Sequence, residues 1–138
     1  EEGKAERIDL IAFLKKELNN RVSDVIESKR LSDSPCVLVT AQGGVSQNME
    51  RLMKMADRDF SGSKRVLEVN PRHPIIQNLA LRFKQERTAK DLKDWAHMLV
   101  DYVLLGEGKV EDPQRMTRIL RLMMQTTIES SLDEIENE

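Results

Sequence analysis

The feature that most limits how this chain can fold is the width of the apolar surface on its last two helical segments. From Thr88 to Leu105, the residues Leu92, Trp95, Ala96, Leu99, Tyr102 and Val103 recur at three- and four-residue steps. Met98, Val100, Leu104 and Leu105 widen that sector beyond one face. Past the connector Gly106-Glu107-Gly108, the segment from Asp112 repeats the pattern with Met116, Ile119, Leu120, Met123 and Met124, beside Leu122. A helix with one buried side needs an apolar stripe only a little over a quarter-turn wide, so helices oily on several sides must be enclosed. Two such neighbours imply self-association, most simply a four-helix bundle made from one hairpin of each copy in a homodimer. A contact of that kind buries about 2,000 Å² or more, in the range of permanent dimers. The expected interface sets Leu92, Trp95, Leu99, Tyr102 and Val103 against Met116, Ile119, Leu120, Met123 and Met124.

The remaining 1–87 reads as an α+β unit, so the whole 138-residue chain forms a single domain with residues 88–128 as its dimerisation hairpin. A first helix runs from about Ala5 to Leu18, with Ile8, Ile11 and Ala12 on one side, and Asn19-Asn20 stops it. Val22–Ser28 alternates enough for an edge strand. Cys36–Thr40 is β-branched and nearly continuous, the pattern of a central strand, and Pro35 fits just before its start. Gly43-Gly44 leads into a short helix over 46–56, the loop 57–63 follows, and Lys64–Val69 resumes strand character up to Asn70-Pro71. Pro74 opens a helix carrying Ile75, Ile76, Leu79, Ala80 and Phe83. Thr88 with Asp91 forms a capping-box pattern, and Asp112-Pro113 is a strong helix start. The tail 129–138 is acidic, and negative charge at a helix C-terminus predicts fraying there. The expected architecture is a small three-stranded sheet with helices on one face, followed by the hairpin.

Composition narrows the function. A net charge of −2 offers no basic face for nucleic acid, and 4% aromatic residues leave little for base stacking. No apolar run approaches the length of a membrane span, so no membrane partner is expected. The first residue is not Met, so a piece of a longer protein is expected. The lone Cys36 fits a reducing, cytoplasmic setting and reads as a small hydrophobe within its strand. His73 and His97 lack Cys or carboxylate partners at metal-ligand spacing, and the glycine pairs match no phosphate loop. No catalytic residue, cofactor site or metal site is expected in this chain, which reads as a binding module and not an enzyme.

The short helix is the second feature that asks for a role. Val45, Met49, Leu52 and Met53 fall at steps of four and three, opposite Gln47, Asn48, Glu50, Arg51 and Lys54. A methionine-rich face is flexible and polarizable, which suits adaptable binding, although such a face can equally pack on its own sheet. A monomeric adaptor that docks another protein through its last helix pair is the alternative reading of the whole chain.

Four segments in order resemble the C-terminal domain of the heat-shock protein 90 chaperones: residues 30–36 (Arg-Leu-Ser-Asp-Ser-Pro-Cys), 48–54 (Asn-Met-Glu-Arg-Leu-Met-Lys), 67–74 (Leu-Glu-Val-Asn-Pro-Arg-His-Pro) and 104–113 around Gly106-Glu107-Gly108. The resemblance extends over nearly the whole chain, from roughly Ile8 to Ile128. The resemblance implies a constitutive dimerisation module of an ATP-driven chaperone, whose ATP and Mg bind in an N-terminal domain outside this sequence. It also implies that the helix matched by Val45, Met49, Leu52 and Met53 contributes to client binding, with Val45 smaller than the aromatic or Met common there. The ending Ile135-Glu136-Asn137-Glu138 differs from the Met-Glu-Glu-Val-Asp tail of eukaryotic cytosolic members, so a bacterial or organellar member is expected.

Overall fold

The structure is a computed structural model, and it describes residues 3–30, 33–40, 47–56 and 64–136. Val45, one of the expected client-contact residues, lies outside the described residues. Among them are five helices and three strands, in the order α1 (Lys4–Glu17), β1 (Val22–Glu27), β2 (Cys36–Val39), α2 (Gln47–Ala56), β3 (Arg65–Val69), α3 (Pro74–Gln85), α4 (Asp91–Gly106) and α5 (Pro113–Glu136). The fold is α+β, as expected.

The sheet order is β1-β3-β2, with β1 parallel and β2 antiparallel to β3. Register explains the core. Val25 pairs with Leu67 and Leu67 with Leu38, so one apolar row crosses all three strands on the same face. These three are buried, as are Val69 and Cys36 two positions along. The opposite face carries Ile26, Glu68 and Val37, and Glu68 there pairs with Arg30 at 3.1 Å. Leu10 and Leu14 from α1 with Leu18 just after it, Ile76, Leu79, Ala80 and Phe83 from α3, and Leu92, Ala96, Leu99 and Val100 from α4 close over the apolar row.

Cys36–Val39 forms a strand, yet it is an edge and not the centre; β3 is central. The continuous apolar run reflects cover by α4, whose Leu99 carbonyl accepts from the Cys36 thiol at 3.4 Å. Burial, and not the number of neighbouring strands, is what a run of apolar residues reports.

Local chemistry sets the turns. Buried Asn70 donates from its side chain to the Ser34 carbonyl at 3.2 Å, and its Oδ1 accepts from Arg72 N–H at 3.0 Å. His73 then caps α3, its Nδ1 accepting from Ile75 N–H at 3.1 Å ahead of Pro74. The capping box expected at Thr88 and Asp91 does not form: α4 begins at Asp91, with Lys90 before it and no side-chain cap. At the other end of α4, Gly108 N–H reaches Leu105 O and Lys109 N–H reaches Leu104 O, with Gly108 at φ 79. That paired closure needs a left-handed residue at Gly108, so glycine there ends the helix cleanly.

Candidate functional site

The two surfaces expected to bind partners lie on the α4–α5 hairpin and on α2, and a buried charge cluster ties the hairpin to the rest of the fold. Asp112 starts α5 by accepting from Arg115 N–H at 3.0 Å, with Pro113 behind it. Met116 and Ile119 then anchor the first turns in the protomer, at 7% and 2% exposure. Arg118 holds Asp94 of α4 at 3.1 and 3.2 Å. Beyond that point α5 leaves the core. Leu120, Leu122, Met124, Ile128, Leu132 and Ile135 are all exposed, and the helix runs on through Glu136, where acidic charge predicts fraying. Its 24 residues span about 36 Å.

Asp101 is the centre of the charge cluster. Its side chain is 1% exposed, yet it sits on α4 among Leu99, Val100 and Leu104. Arg21, between α1 and β1, donates to Oδ1 at 2.6 Å. Arg115 of α5 donates to Oδ1 at 3.0 Å and to Oδ2 at 3.1 Å. Arg21 also reaches Glu111 at 2.7 Å, the His97 carbonyl at 3.3 Å and His97 Nδ1 at 3.2 Å. An arginine can only donate, so Nδ1 accepts and the Nε2–H of His97 donates to Glu17 at 3.2 Å. Three separate segments, the α1–β1 connection, α4 and α5, therefore meet at one carboxylate. A second clamp holds the hairpin turn to the sheet: Arg65 of β3 grips Glu107 at 2.8 and 2.9 Å, and this guanidinium holds the Glu107 carboxyl below its ordinary value.

The ten expected interface residues divide. Leu92, Leu99, Met116 and Ile119 are buried within the protomer, Leu92 and Leu99 of them in its main core cluster. Trp95, Val103 and Met123 are half-buried. Tyr102, Leu120 and Met124 are exposed, at 49%, 44% and 60%. Tyr102 also lines an open groove with Leu105 and Val37, beside the free edge of β2. Ile128, Leu132 and Ile135 continue the exposed apolar positions of α5 beyond Met124.

On α2, Met49, Leu52, Met53 and Met55 show 52%, 59%, 38% and 78% of their surface. The apolar side of this helix is thus presented outward and not packed on the sheet. Among the described residues, no group of three His, Cys, Asp or Glu side chains is placed to hold a metal ion, and no helix is long and apolar enough to cross a membrane.

A chain with this sheet, these helix faces and this spacing matches the family model of the Hsp90 protein over residues 1–138. The chain belongs to the heat-shock protein 90 family. It is 41% identical over 125 residues to "Chaperone protein HtpG" of Geobacter sulfurreducens, covering 90% of this chain and 19% of that protein. It is 42% identical over 123 residues to "Chaperone protein HtpG" of Roseobacter denitrificans, covering 87% and 20%. Similarity extends to "Heat shock protein 83" of Leishmania donovani, 40% identical over 134 residues, covering 89% and 28%. The chain spans about a fifth of the length of the HtpG relatives it matches.

Proposed function

We propose that this chain is the carboxy-terminal self-association module of a chaperone of this family, joining two copies through α5 and offering α2 to unfolded polypeptides. The observation that carries the reading is the outer part of α5, where Leu120, Met124, Ile128, Leu132 and Ile135 stand exposed on a helix whose ion pairs to α4, among the described residues, lie near its start. Burying one such side chain contributes about 1.5–3 kcal/mol, so a second copy laid along that helix gains from each of them. Tyr102 and Leu105 of α4 are exposed as well. The module acts mechanically: a permanent joint raises the effective concentration of the two distant ATPase domains for each other. In this reading ATP and Mg act in the rest of the protein, whose setting is the cytoplasm, and the clients are unfolded or partly folded proteins met at Met49, Leu52 and Met53.

Sedimentation of the Leu120→Asp/Met124→Asp variant tests the joint. The expected result is a monomer with unchanged thermal stability, because neither side chain belongs to the protomer core. A variant that still dimerises at micromolar concentration places the joint elsewhere, and a wild-type chain that sediments as a monomer makes it an adaptor. For α2, Met49→Gln/Met53→Gln is expected to weaken capture of an unfolded polypeptide without lowering the melting temperature; a large loss of stability would show that those residues are core.

A further inference from the structure

The seven methionines of this chain are not distributed evenly between inside and outside. Met116 is buried, and Met98 and Met123 are half-buried. The four exposed ones are Met49, Met53 and Met55 on α2, and Met124 on α5. Three exposed thioethers therefore stand in seven residues of one short helix, around Leu52.

A thioether is an apolar side chain that a mild oxidant turns polar without cutting the chain. The sulfur lone pair attacks the distal oxygen of a hydroperoxide and the O–O bond breaks. Sulfur is oxidised by two electrons to the sulfoxide, and the departing hydroxide (alkoxide from an organic hydroperoxide) takes the proton of the transferred oxygen and leaves as water (or the alcohol). For hydrogen peroxide, one sulfoxide and one water form from each thioether and each peroxide, and nothing else is consumed. The product is polar and chiral, and peptide methionine sulfoxide reductases return it to the thioether. Rate follows access to the sulfur, so the exposed set reacts before Met116.

We propose that Met49, Met53 and Met55 form an oxidant-responsive modification site, at which peroxide switches the α2 face from apolar to polar and releases the bound polypeptide. This inference rests on the reading of α2 as a client surface. The chemistry suits a reversible device because the three side chains contribute no buried core: their oxidation changes what α2 can bind while the sheet and α1, α3 and α4 keep their packing. Cys36 offers no competing thiol, since burial pushes it up to about 12 and leaves it protonated.

The test uses the full-length protein and reduced, carboxymethylated α-lactalbumin as the unfolded probe. Limited treatment with hydrogen peroxide, followed by peptide mass mapping, is expected to place sulfoxide on the α2 peptide well before the Met116 peptide. Probe binding is expected to weaken about tenfold with no change in melting temperature, and to return after treatment with sulfoxide reductases. The Met49→Leu/Met53→Leu/Met55→Leu variant keeps the apolar face without the sulfur, so it should bind the probe both before and after peroxide. Sulfoxide on α2 with undiminished binding overturns the switch, as does equal loss of binding in the leucine variant. The Met49→Gln/Met53→Gln variant separates the two readings: if it binds like the wild type, α2 is not a client surface at all. If it binds weakly while the oxidised wild type binds normally, only the oxidation inference falls.

Discussion

Arg21 donates to Asp101 across 2.6 Å, joining the segment between α1 and β1 to a carboxylate on α4 that is 1% exposed. Arg115 of α5 closes on the same carboxylate from the other side. The direction in which α5 leaves the core is thus tied to the sheet through one side chain. Removing one partner of a buried ion pair costs about 3–5 kcal/mol, because the others are left charged in a poorly hydrated place. Asp101→Asn keeps the shape and removes the charge, so urea unfolding should show a loss in that range. A loss under about 1 kcal/mol would mean that Glu111 and Asp112 serve the two arginines well enough without Asp101.

Leu99 and Ile119 distinguish the core from the joint. Both are nearly fully buried, so Leu99→Asp and Ile119→Asp should abolish folding and not simply yield folded monomers. The milder Leu99→Ala should cost about 2–5 kcal/mol through lost packing and a residual cavity, with dimerisation intact at low temperature. Thermal unfolding combined with light scattering separates these outcomes: a folded monomeric Leu99→Asp variant would place that side chain at the interface after all.

Glu107 provides a pH test of the hairpin clamp. The hydrogen bonds from Arg65 lower its pKa from 4.5, so folding favours the ionised form. A depressed carboxylate contributes stability that is present above the unfolded value and lost as pH falls through the lower folded value. Wild type should therefore exceed Glu107→Gln in stability at neutral pH, and the gap should narrow once pH falls below the ordinary glutamate value of 4.5. The pair is partly solvated, so the gap should stay within about 1 kcal/mol. Urea titrations at several pH values check this; a gap constant through acid pH would show that the pair is not its source.

Cys36 should be chemically quiet. Its thiol is pushed up to about 12 by burial beneath α4, so the reactive thiolate is scarce at pH 8. Iodoacetamide is expected to leave the native protein unlabelled over an hour and to label it fully in denaturant, as read by intact mass. Rapid native labelling would show that β2 and α4 separate readily.

Helices and strands were legible in the sequence because each carries a strong local signal. Pro74 and Asp112-Pro113 mark two helix starts within a residue, and the Gly106-Glu107-Gly108 connector is the closure that ends α4. Strand order was not legible: β2 is as apolar as a centre strand, because a covering helix and a second neighbour strand leave the same imprint on side chains. Nor did periodicity divide the oily sectors of α4 and α5 between the chain's own core and outside. Ile119 and Leu120 are adjacent and equally apolar, yet one is 2% and the other 44% exposed. The charge cluster was missed for the opposite reason. Asp101 interrupts an apolar run one turn before Leu104, and a lone carboxylate in that position already called for cationic partners from elsewhere in the chain.

The order β1-β3-β2 has a consequence for synthesis. The two outer strands never touch, and each waits for the middle one, which is translated last of the three. While the ribosome works through the stretch before Arg65, the nascent segment carries two unmatched ribbons with open backbone edges, the kind of surface that strays into foreign pairings. A newborn copy of this family member is, for that interval, itself the sort of polypeptide that needs a helper.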